Sequence, residues 1–252
     1  MYPLLYKYCK SQKQNEHLLD IFKKSHLHLT PHSKLNDIFE CKILFDKSYL
    51  LNNITEETDH FKEFKNKQNP NATIEYYRSL LSVQLEERER MKEVYKELYI
   101  DVSFGITCFS KTNKNDILWA YYTDSFKGLC IEFDFNEYHF DLMKNKILRE
   151  VVYTDNDYYI TSADDLREIT YRKKTCYIGE KEWRVSVPLD KDKLFMDFQK
   201  PIMKGIYFGI NMHPEYTAEV IYETKELGYK LKYYEMYSEF DNFDIHFREM
   251  KV

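Results

Sequence analysis

The chain has 252 residues, a length that one hydrophobic core can fill, and its 43% hydrophobic and 31% charged residues are typical of a folded soluble protein. The formal net charge of −5 argues against a protein that coats nucleic acid, because neutralising many phosphates requires a basic surface. Glycine and proline number only six each, which excludes a glycine-rich phosphate loop. We therefore expect one soluble domain spanning residues 1–252.

The first 40 residues predict a strand, a helix, a second strand and a turn. An aromatic run from Leu4 to Cys9 predicts the first strand. Asn15 is expected to cap a helix that continues through Lys24. The alternating residues 26–30 predict a short strand that Pro31 ends, and Asn and Asp at 36 and 37 favour a turn.

Residues 55–100 are predicted to form a charged helical insertion that Asn69-Pro70-Asn71 divides in two. Its second part, residues 73–99, places apolar side chains on one face and is expected to be one helix. The charged run at residues 86–90 has two interpretations. It is either the solvated face of that helix, or a surface through which the protein binds a partner protein or assembles into a homo-oligomer.

The second half of the chain has a different pattern, with short strands separated by helices. Strands are predicted at 104–110, 128–133, 151–153, 182–187 and 202–208, with a last strand region between 230 and 248. Helices are predicted at 117–122, at 162–174 with Ser162 as its cap, and at 214–224. Together these elements indicate an α+β fold with a mixed β-sheet and the helical insertion at about 55–100.

Glu180-Lys181-Glu182 is the strongest chemical signal in the sequence. If this segment is a strand, the two carboxylates point to the same face, where they repel each other unless a cation or a substrate lies between them. Carboxylates placed in this way can bind ribose hydroxyls and stabilise a cationic sugar transition state. The alternative is an edge strand with solvated charges, or a salt bridge to Arg184 or Lys173.

Two further segments carry candidate binding groups. Ser110 ends a buried strand and can orient a ligand, although serine is also common in turns. Trp119, Tyr121 and Tyr122 can form an aromatic wall for a nicotinamide or a base, or can belong to the core. The 23 tyrosines of the chain allow a stacking surface for nucleotides, but a bias in genome composition explains them as well.

Metal, disulfide and membrane sites are not expected. The five cysteines include no C-x-x-C pair and are expected to be free thiols of a cytoplasmic protein, and His26, His28 and His32 lack matching acidic or cysteine ligands. The N-terminus shows no signal-peptide pattern, and no apolar run approaches the 18 residues or so that suggest a membrane span. The motifs of P-loop, Rossmann, zincin and α/β-hydrolase proteins are also missing.

The order of the short motifs resembles that of an uncharacterised bacterial domain-of-unknown-function family. Its pattern contains K-Y, F-N-D-P-F-E, C-F-S, L-M-W-x-H-Y-A-D with K-G, W-x-Y-E-K-E-Y-R and a strand that ends in glycine. The corresponding residues here are Lys7-Tyr8, 35–40, 108–110, 118–124 with Lys127-Gly128, 180–184 and 206–209. This chain has Tyr121 where the family pattern has histidine. The resemblance covers most of the chain.

The layout of this family is similar to the ADP-ribosyltransferase-like fold, which has a mixed, split β-sheet. The resemblance implies that NAD is a substrate, that Glu182 is the catalytic glutamate and that Glu180 positions the acceptor. It also implies a cofactor-binding role for a larger set of residues. These are Lys7 and Tyr8 on the first strand, Ser110, the aromatic residues Trp119, Tyr121 and Tyr122, and Arg184.

Three functions follow as expectations. The first is an NAD-consuming ADP-ribosyltransferase or NAD glycohydrolase, acting as a bacterial toxin or phage-defence effector on a protein or nucleic-acid acceptor. The second is a non-catalytic interaction or assembly module of a bacterial defence system, which binds a partner through helix 73–99. The third is an RNA- or nucleotide-binding protein that uses the tyrosine-rich surface.

Overall fold

A computed structural model gives the structure of the protein. It describes residues 2–11, 18–35, 37, 40–41, 44–87, 90–91, 104–136, 147–160, 165–189, 194–239, 241–242 and 244–252. Within these residues, no helix has both the length and the apolar character needed to cross a membrane.

The fold contains helices and short strands in mixed order, which confirms the α+β class. The helices are α1 (Leu18–Lys24), α2 (Lys47–Asn53), α3 (Asp59–Lys67), α4 (Ile74–Gln84), α5 (Asp116–Tyr122), α6 (Asp165–Glu168) and α7 (Pro214–Glu226). The first eight strands are β1 (Leu5–Cys9), β2 (His26–His28), β3 (Thr30–Pro31), β4 (Leu44–Phe45), β5 (Phe104–Ser110), β6 (Leu129–Phe133), β7 (Leu148–Glu150) and β8 (Val152–Tyr153). The others are β9 (Tyr159–Ile160), β10 (Arg172–Lys173), β11 (Glu182–Pro188), β12 (Phe195–Asp197), β13 (Met203–Phe208), β14 (Lys232–Tyr237) and β15 (His246–Glu249).

Nine of the strands form one mixed sheet. Its order is β15-β14-β13-β6-β1-β5-β11-β7, and β3 also pairs with β5. Only β13 and β14 run parallel, and the other neighbours in this sheet are antiparallel. The predicted strands at 104–110, 128–133, 182–187 and 202–208 are therefore confirmed as central members of the sheet.

The sheet opens between β1 and β5. Strand β1 pairs with β6 along its whole length, but with β5 at a single position, Tyr6 opposite Ser110. On the same side, the other end of β5 pairs with β3, where Thr30 lies opposite Ile106. Between these two contacts, the Lys7 ammonium donates hydrogen bonds to Thr107 Oγ1 at 2.8 Å and to the Cys108 carbonyl at 3.3 Å.

The main core lies on one face of this sheet. Helices α1 and α7 cover that face, and fully buried side chains such as Phe22, Phe133 and Val220 fill the space beneath them. A smaller aromatic cluster around Trp119 and Tyr207 packs on the opposite face. Burying apolar surface on both faces stabilises the central strands, which therefore provide a rigid support for side chains at the opening.

The helical insertion has a small core of its own. It begins at α2, earlier than the predicted residue 55, and buries side chains that include Ile54, Phe61 and Tyr77. The prediction of one helix over residues 73–99 is wrong, because α4 ends at Gln84. Leu85, which is 2% exposed, turns into this core, and Met91 packs against the same cluster. Residues 92–99 lie outside the described part of the chain, as do the predicted caps Asn15 and Ser162.

The predicted helix at 162–174 is also wrong in its second half. Helix α6 ends at Glu168, a 3₁₀ turn follows over Ile169–Tyr171, and Arg172 and Lys173 form strand β10. The fully buried Tyr171 donates a hydrogen bond to the Ile147 carbonyl, and β10 pairs with β8. These tertiary contacts override the helical preference of the segment and place Lys173 inside the protein.

A left-handed turn connects α5 to β6. Asp124, Ser125 and Phe126 have φ angles of 51°, 57° and 66°, values that residues other than glycine rarely adopt. Gly128 follows, and a Cβ atom at this position would lie 2.1 Å from the Cys9 carbonyl oxygen. Gly128 is therefore required by close packing of the backbone against the end of β1.

Candidate functional site

A cavity of about 450 Å³ lies at the opening of the sheet. Strands β1, β5 and β11 and the segments around Thr30, Glu40 and Lys173 line it. Helix α5 contributes Tyr121 and Tyr122. The motifs at Lys7-Tyr8, 35–40, 108–110, 118–124 and 180–184 therefore each contribute at least one side chain to this cavity.

The register between β5 and β11 brings the central residues together. Glu182 lies opposite Ser110, and Arg184 lies opposite Cys108. Because directly opposed residues of an antiparallel pair share a face, these four side chains lie on the same side of the sheet. Glu182 and Arg184 are 4% and 0% exposed, so this is a buried polar face.

The prediction that Glu180 and Glu182 lie on one strand is wrong. Glu180 ends a 3₁₀ turn over Thr175–Glu180, Lys181 is left-handed with a φ of 47°, and β11 begins at Glu182. The two carboxylates still converge, because both contact the Lys173 ammonium. The left-handed backbone at Lys181, and not the alternation of a strand, therefore lies between the two converging side chains.

Two cations hold three glutamates in a buried ionic network. Lys173 Nζ lies 3.0 Å from Glu40 Oε1, 2.6 Å from Glu180 Oε2 and 3.1 Å from Glu182 Oε2. The Arg184 guanidinium lies 2.7 Å from both Glu182 Oε1 and Glu40 Oε1, and it also donates to Glu182 Oε2 at 3.0 Å and to the Thr170 carbonyl at 2.8 Å. We call these residues, Glu40, Lys173, Glu180, Glu182 and Arg184, the carboxylate wall. The predicted salt bridges of the glutamates to Arg184 and Lys173 are confirmed.

The pKa values of the two glutamates on either side of Lys181 are shifted in opposite directions. Burial alone would raise the pKa of Glu182, but Arg184 and Lys173 outweigh burial and lower this pKa to about 2. Burial raises the pKa of Glu180 above its usual value, and the hydrogen bond to Lys173 offsets this only in part. Glu182 is therefore held as an anion, whereas Glu180 is the carboxylate of the pair that binds a proton more readily.

Lysines on the β1 side of the opening form a second wall. Lys7, Lys10 and Lys34 all line the cavity, and Lys10 and Lys34 are exposed. In the described part of the chain, the ion pairs involve none of these three lysines. We call them the lysine wall, and their uncompensated charge favours an anionic ligand.

The side-chain hydroxyls of Ser110 and Tyr8 donate hydrogen bonds to backbone carbonyls beside the cavity. The Ser110 hydroxyl donates a 2.7 Å hydrogen bond to the Glu180 carbonyl, which fixes the chain just before β11. The Tyr8 hydroxyl donates to the Thr112 carbonyl at 2.8 Å, and its ring packs edge-on against Trp119. Both residues line the cavity, and both also hold its walls in place.

The three aromatic residues of α5 have different positions. Trp119 is fully buried, its indole N–H donates to the Asn113 carbonyl, and it is not among the residues that line the cavity. It therefore belongs to the core, which was one of its two predicted roles. Tyr121 and Tyr122 line the cavity, and Tyr121 is 76% exposed at its rim.

Glu40 is the site residue to which sequence reasoning gave no role. It lies in the loop after β3, and its carboxylate reaches both Lys173 and Arg184. Lys173 was considered only as a salt-bridge partner, yet it joins all three glutamates. The only sequence signal for Glu40 was its place at the end of the motif at residues 35–40, which carries no chemical pattern by itself.

Residues 118–185 match the model of a family described as protein of unknown function (DUF2971). The match begins in α5 and ends within β11, so it contains Lys173, Glu180, Glu182 and Arg184. No curated protein and no solved structure matches the chain. Among the described residues, no group of three or more His, Cys, Asp or Glu side chains is arranged to hold a metal ion.

Proposed function

We propose that the protein is an NAD-consuming enzyme, either an ADP-ribosyltransferase or an NAD glycohydrolase. One observation carries the proposal: a cavity at the opening of the sheet combines paired glutamates with three lysines and with tyrosine rings, of which Tyr121 is exposed. Its volume of about 450 Å³ lies in the usual range of small-molecule sites, roughly 300–1,000 Å³. The resemblance to the ADP-ribosyltransferase-like layout implies the same class of substrate.

The two walls suit the two chemical ends of NAD. Carboxylates can accept hydrogen bonds from ribose hydroxyls and stabilise positive charge that develops on the sugar. Lysine ammonium groups suit the pyrophosphate, because they are compact point charges with several donors. The rings of Tyr121 and Tyr122 provide apolar surface on which a nicotinamide or adenine ring can stack.

The proposed reaction breaks the bond between the anomeric carbon of the ribose and the pyridinium nitrogen. Both bonding electrons move to the nitrogen, so nicotinamide leaves as a neutral molecule and the sugar carbon becomes cationic. An oxygen or nitrogen of the acceptor, or of water, then bonds to that carbon and loses a proton. The carboxylate wall lowers the barrier by stabilising the cationic sugar in the transition state.

The biological role that we attach to this activity is that of a bacterial toxin or phage-defence effector. Removal of NAD, or modification of an essential protein or nucleic acid, would stop the growth of the affected cell. The acceptor class then decides between the two activities, since water alone gives a glycohydrolase.

The second candidate is a non-catalytic interaction module, and one observation favours it. Both oxygens of Glu182 are bound by Arg184 and Lys173, an arrangement that also serves a purely structural purpose. In that case the carboxylate wall would fix the loop that carries Glu40 without meeting any substrate. A direct assay with NAD separates the two candidates.

The decisive experiment incubates the purified protein with NAD, with and without cell lysate as a source of acceptors, and measures released nicotinamide by chromatography. We expect release by the wild type and loss of release in E180Q. The matched control is E150Q, because Glu150 is an exposed glutamate that does not line the cavity. No release by the wild type under either condition would reject the enzyme and favour the interaction module.

A further inference from the structure

We propose that Glu180, rather than Glu182, is the carboxylate that contacts the substrate, and that Lys173 is the residue that positions it. This inference rests on the proposed NAD-consuming function. It departs from the family resemblance, which assigned the catalytic role to Glu182. The assignment follows from how the two side chains use their oxygen atoms.

The bonds of Glu182 occupy both of its oxygens inside the protein. Oε1 accepts from Arg184 Nε at 2.7 Å, and Oε2 accepts from Arg184 Nη2 at 3.0 Å and from Lys173 Nζ at 3.1 Å. The side chain is 5% exposed. Contact with a substrate would require breaking charge-assisted hydrogen bonds in a buried site, which is costly.

Glu180 has a different environment. Its side chain is 12% exposed and lines the cavity, and within the described residues its only hydrogen bond is the 2.6 Å contact between Oε2 and Lys173. The other oxygen is available to accept from a sugar hydroxyl. Glu180 is thus oriented by one strong bond and retains the capacity for another.

Two hydrogen bonds and a left-handed neighbouring residue fix the backbone around Glu180. Ser110 donates to the Glu180 carbonyl at 2.7 Å, and Asn115 donates to the Gly179 carbonyl at 2.6 Å. Lys181 adopts the left-handed conformation, which costs roughly 1–2 kcal/mol for a residue with a Cβ atom. A strained residue beside a positioned carboxylate is common at functional sites, where the surrounding contacts maintain the conformation.

Lys173 is the only cation that contacts Glu180 in the described part of the chain. Among the described residues, the other charged or titratable groups that face Glu180 are Glu182 on β11, Glu40 from its loop, Tyr153 on β8 and Tyr177 on the same 3₁₀ turn. Burial raises the pKa of Glu180, and Lys173 opposes this effect. Removing the ammonium should therefore both release the carboxylate and make it easier to protonate.

The activity test compares E180Q with E182Q, each assayed for nicotinamide release per folded molecule at a temperature where both variants are folded. We expect E180Q to lose at least a hundredfold in rate with an unchanged fold. Folded E182Q should lose about tenfold in rate, a smaller loss than in E180Q, because Glu182 holds the carboxylate wall in place and does not contact the substrate. A folded, inactive E182Q together with an active E180Q would overturn the assignment.

The positioning test does not depend on activity. The carboxyl carbon of Glu180 is titrated by NMR in protein carrying ¹³C-labelled glutamate, with E180Q used to assign the signal. In K173M we expect the titration midpoint to rise by about 1–2 pH units, the usual effect of losing a nearby opposite charge. K174M is the matched control, because Lys174 is adjacent in sequence but does not line this cavity. An unchanged midpoint in K173M would overturn the role of Lys173.

K173R covers the case in which K173M does not fold. The guanidinium keeps the positive charge but changes the geometry of the contact. We expect the Glu180 midpoint to stay within half a pH unit of the wild type while the rate of release falls at least tenfold. A wild-type rate in K173R would overturn the positioning role. If the wild type releases no nicotinamide, the proposed function fails, and the NMR titration still decides whether Lys173 controls Glu180.

Discussion

The two walls of the cavity differ in whether their charges have partners: the carboxylate wall pairs three glutamates with two cations, and the lysine wall contains cations alone. On the carboxylate wall, Glu182 and Arg184 are almost completely buried and each charge has a partner. On the lysine wall, Lys10 and Lys34 are exposed, and Lys7 donates only to the neutral oxygens of Thr107 and Cys108. Buried, mutually compensated charges mainly determine structure, whereas exposed charges without partners remain available for a ligand. The comparison predicts that mutation of the fully paired Glu182 affects stability, whereas mutations in the lysine wall affect binding.

The largest expected effect is on the stability of E182Q. Removing one partner from a buried ion pair leaves the other charge uncompensated, which typically costs about 3–5 kcal/mol. For a chain of this size we expect the melting temperature to fall by roughly 10 °C. E180Q should change stability by less than about 1 kcal/mol, because burial already disfavours its charged form. Equal destabilisation of both variants in thermal melts would contradict the comparison.

The second prediction concerns the loss of folding stability at low pH. The pKa of Glu182 is lowered to about 2 by Arg184 and Lys173 in the folded protein, despite the opposing effect of burial, and it is near 4.5 when the chain is unfolded. Its contribution to stability is therefore complete above pH 4.5 and is lost as the pH falls towards 2. The loss amounts to about 3 kcal/mol at 1.36 kcal/mol per pH unit. Denaturant unfolding at several pH values should show a smaller dependence on pH over this window in E182Q than in the wild type.

The third prediction tests the lysine wall and rests on the proposed function. In the double variant K10Q/K34Q, the affinity for ADP-ribose should fall about tenfold, which corresponds to about 1.4 kcal/mol. The melting temperature should remain within about 2 °C of the wild type, because exposed charges contribute little to stability. Calorimetric titration measures the affinity, and K174Q is the control outside the cavity. Unchanged binding in the double variant would show that this wall is only a solvated surface.

The smallest expected effect is at Lys181. Replacement by glycine removes the cost of a left-handed residue with a Cβ atom, so K181G should be neutral or more stable by up to about 1 kcal/mol. The reverse control is G228A, since Gly228 has a φ of 76° and a Cβ atom there would meet no neighbour within 4 Å. That variant should lose about 1 kcal/mol. A clear loss of stability in K181G would mean that the lysine side chain, rather than the backbone, holds this turn.

Sequence patterns predicted those parts of the fold that depend on local periodicity. The apolar residues of β5, β6, β11 and β13 gave the centre of the sheet, and Thr73 caps a helix at its predicted start, where its hydroxyl accepts from the Tyr76 N–H. The wrong predictions fall where distant contacts decide the structure. Residues 172–173 look helical from their neighbours but pair with β8, and Leu85 leaves the helix to enter a small core.

The candidate site also contains residues that local sequence patterns identify and residues that only distant contacts bring together. Glu180 and Glu182 could be selected from the sequence because acidic residues are unusual beside a strand. The convergence of Glu40 with Arg184 could not, because these residues are 144 positions apart and meet only through the packing of a loop against β11. The left-handed backbone of Lys181 was also hidden, since no glycine or asparagine marked it.

The single paired position between β1 and β5 has a consequence for the way the sheet responds to a ligand. It divides the sheet into two halves, one from β15 to β1 and the other from β5 to β7, joined in register only at Tyr6 and Ser110. A molecule bound by Lys7 on one half and by Glu180 beside the other would link the two halves and restrict their relative motion. Amide hydrogen exchange along this seam should therefore slow on binding, before any bond of the ligand is broken.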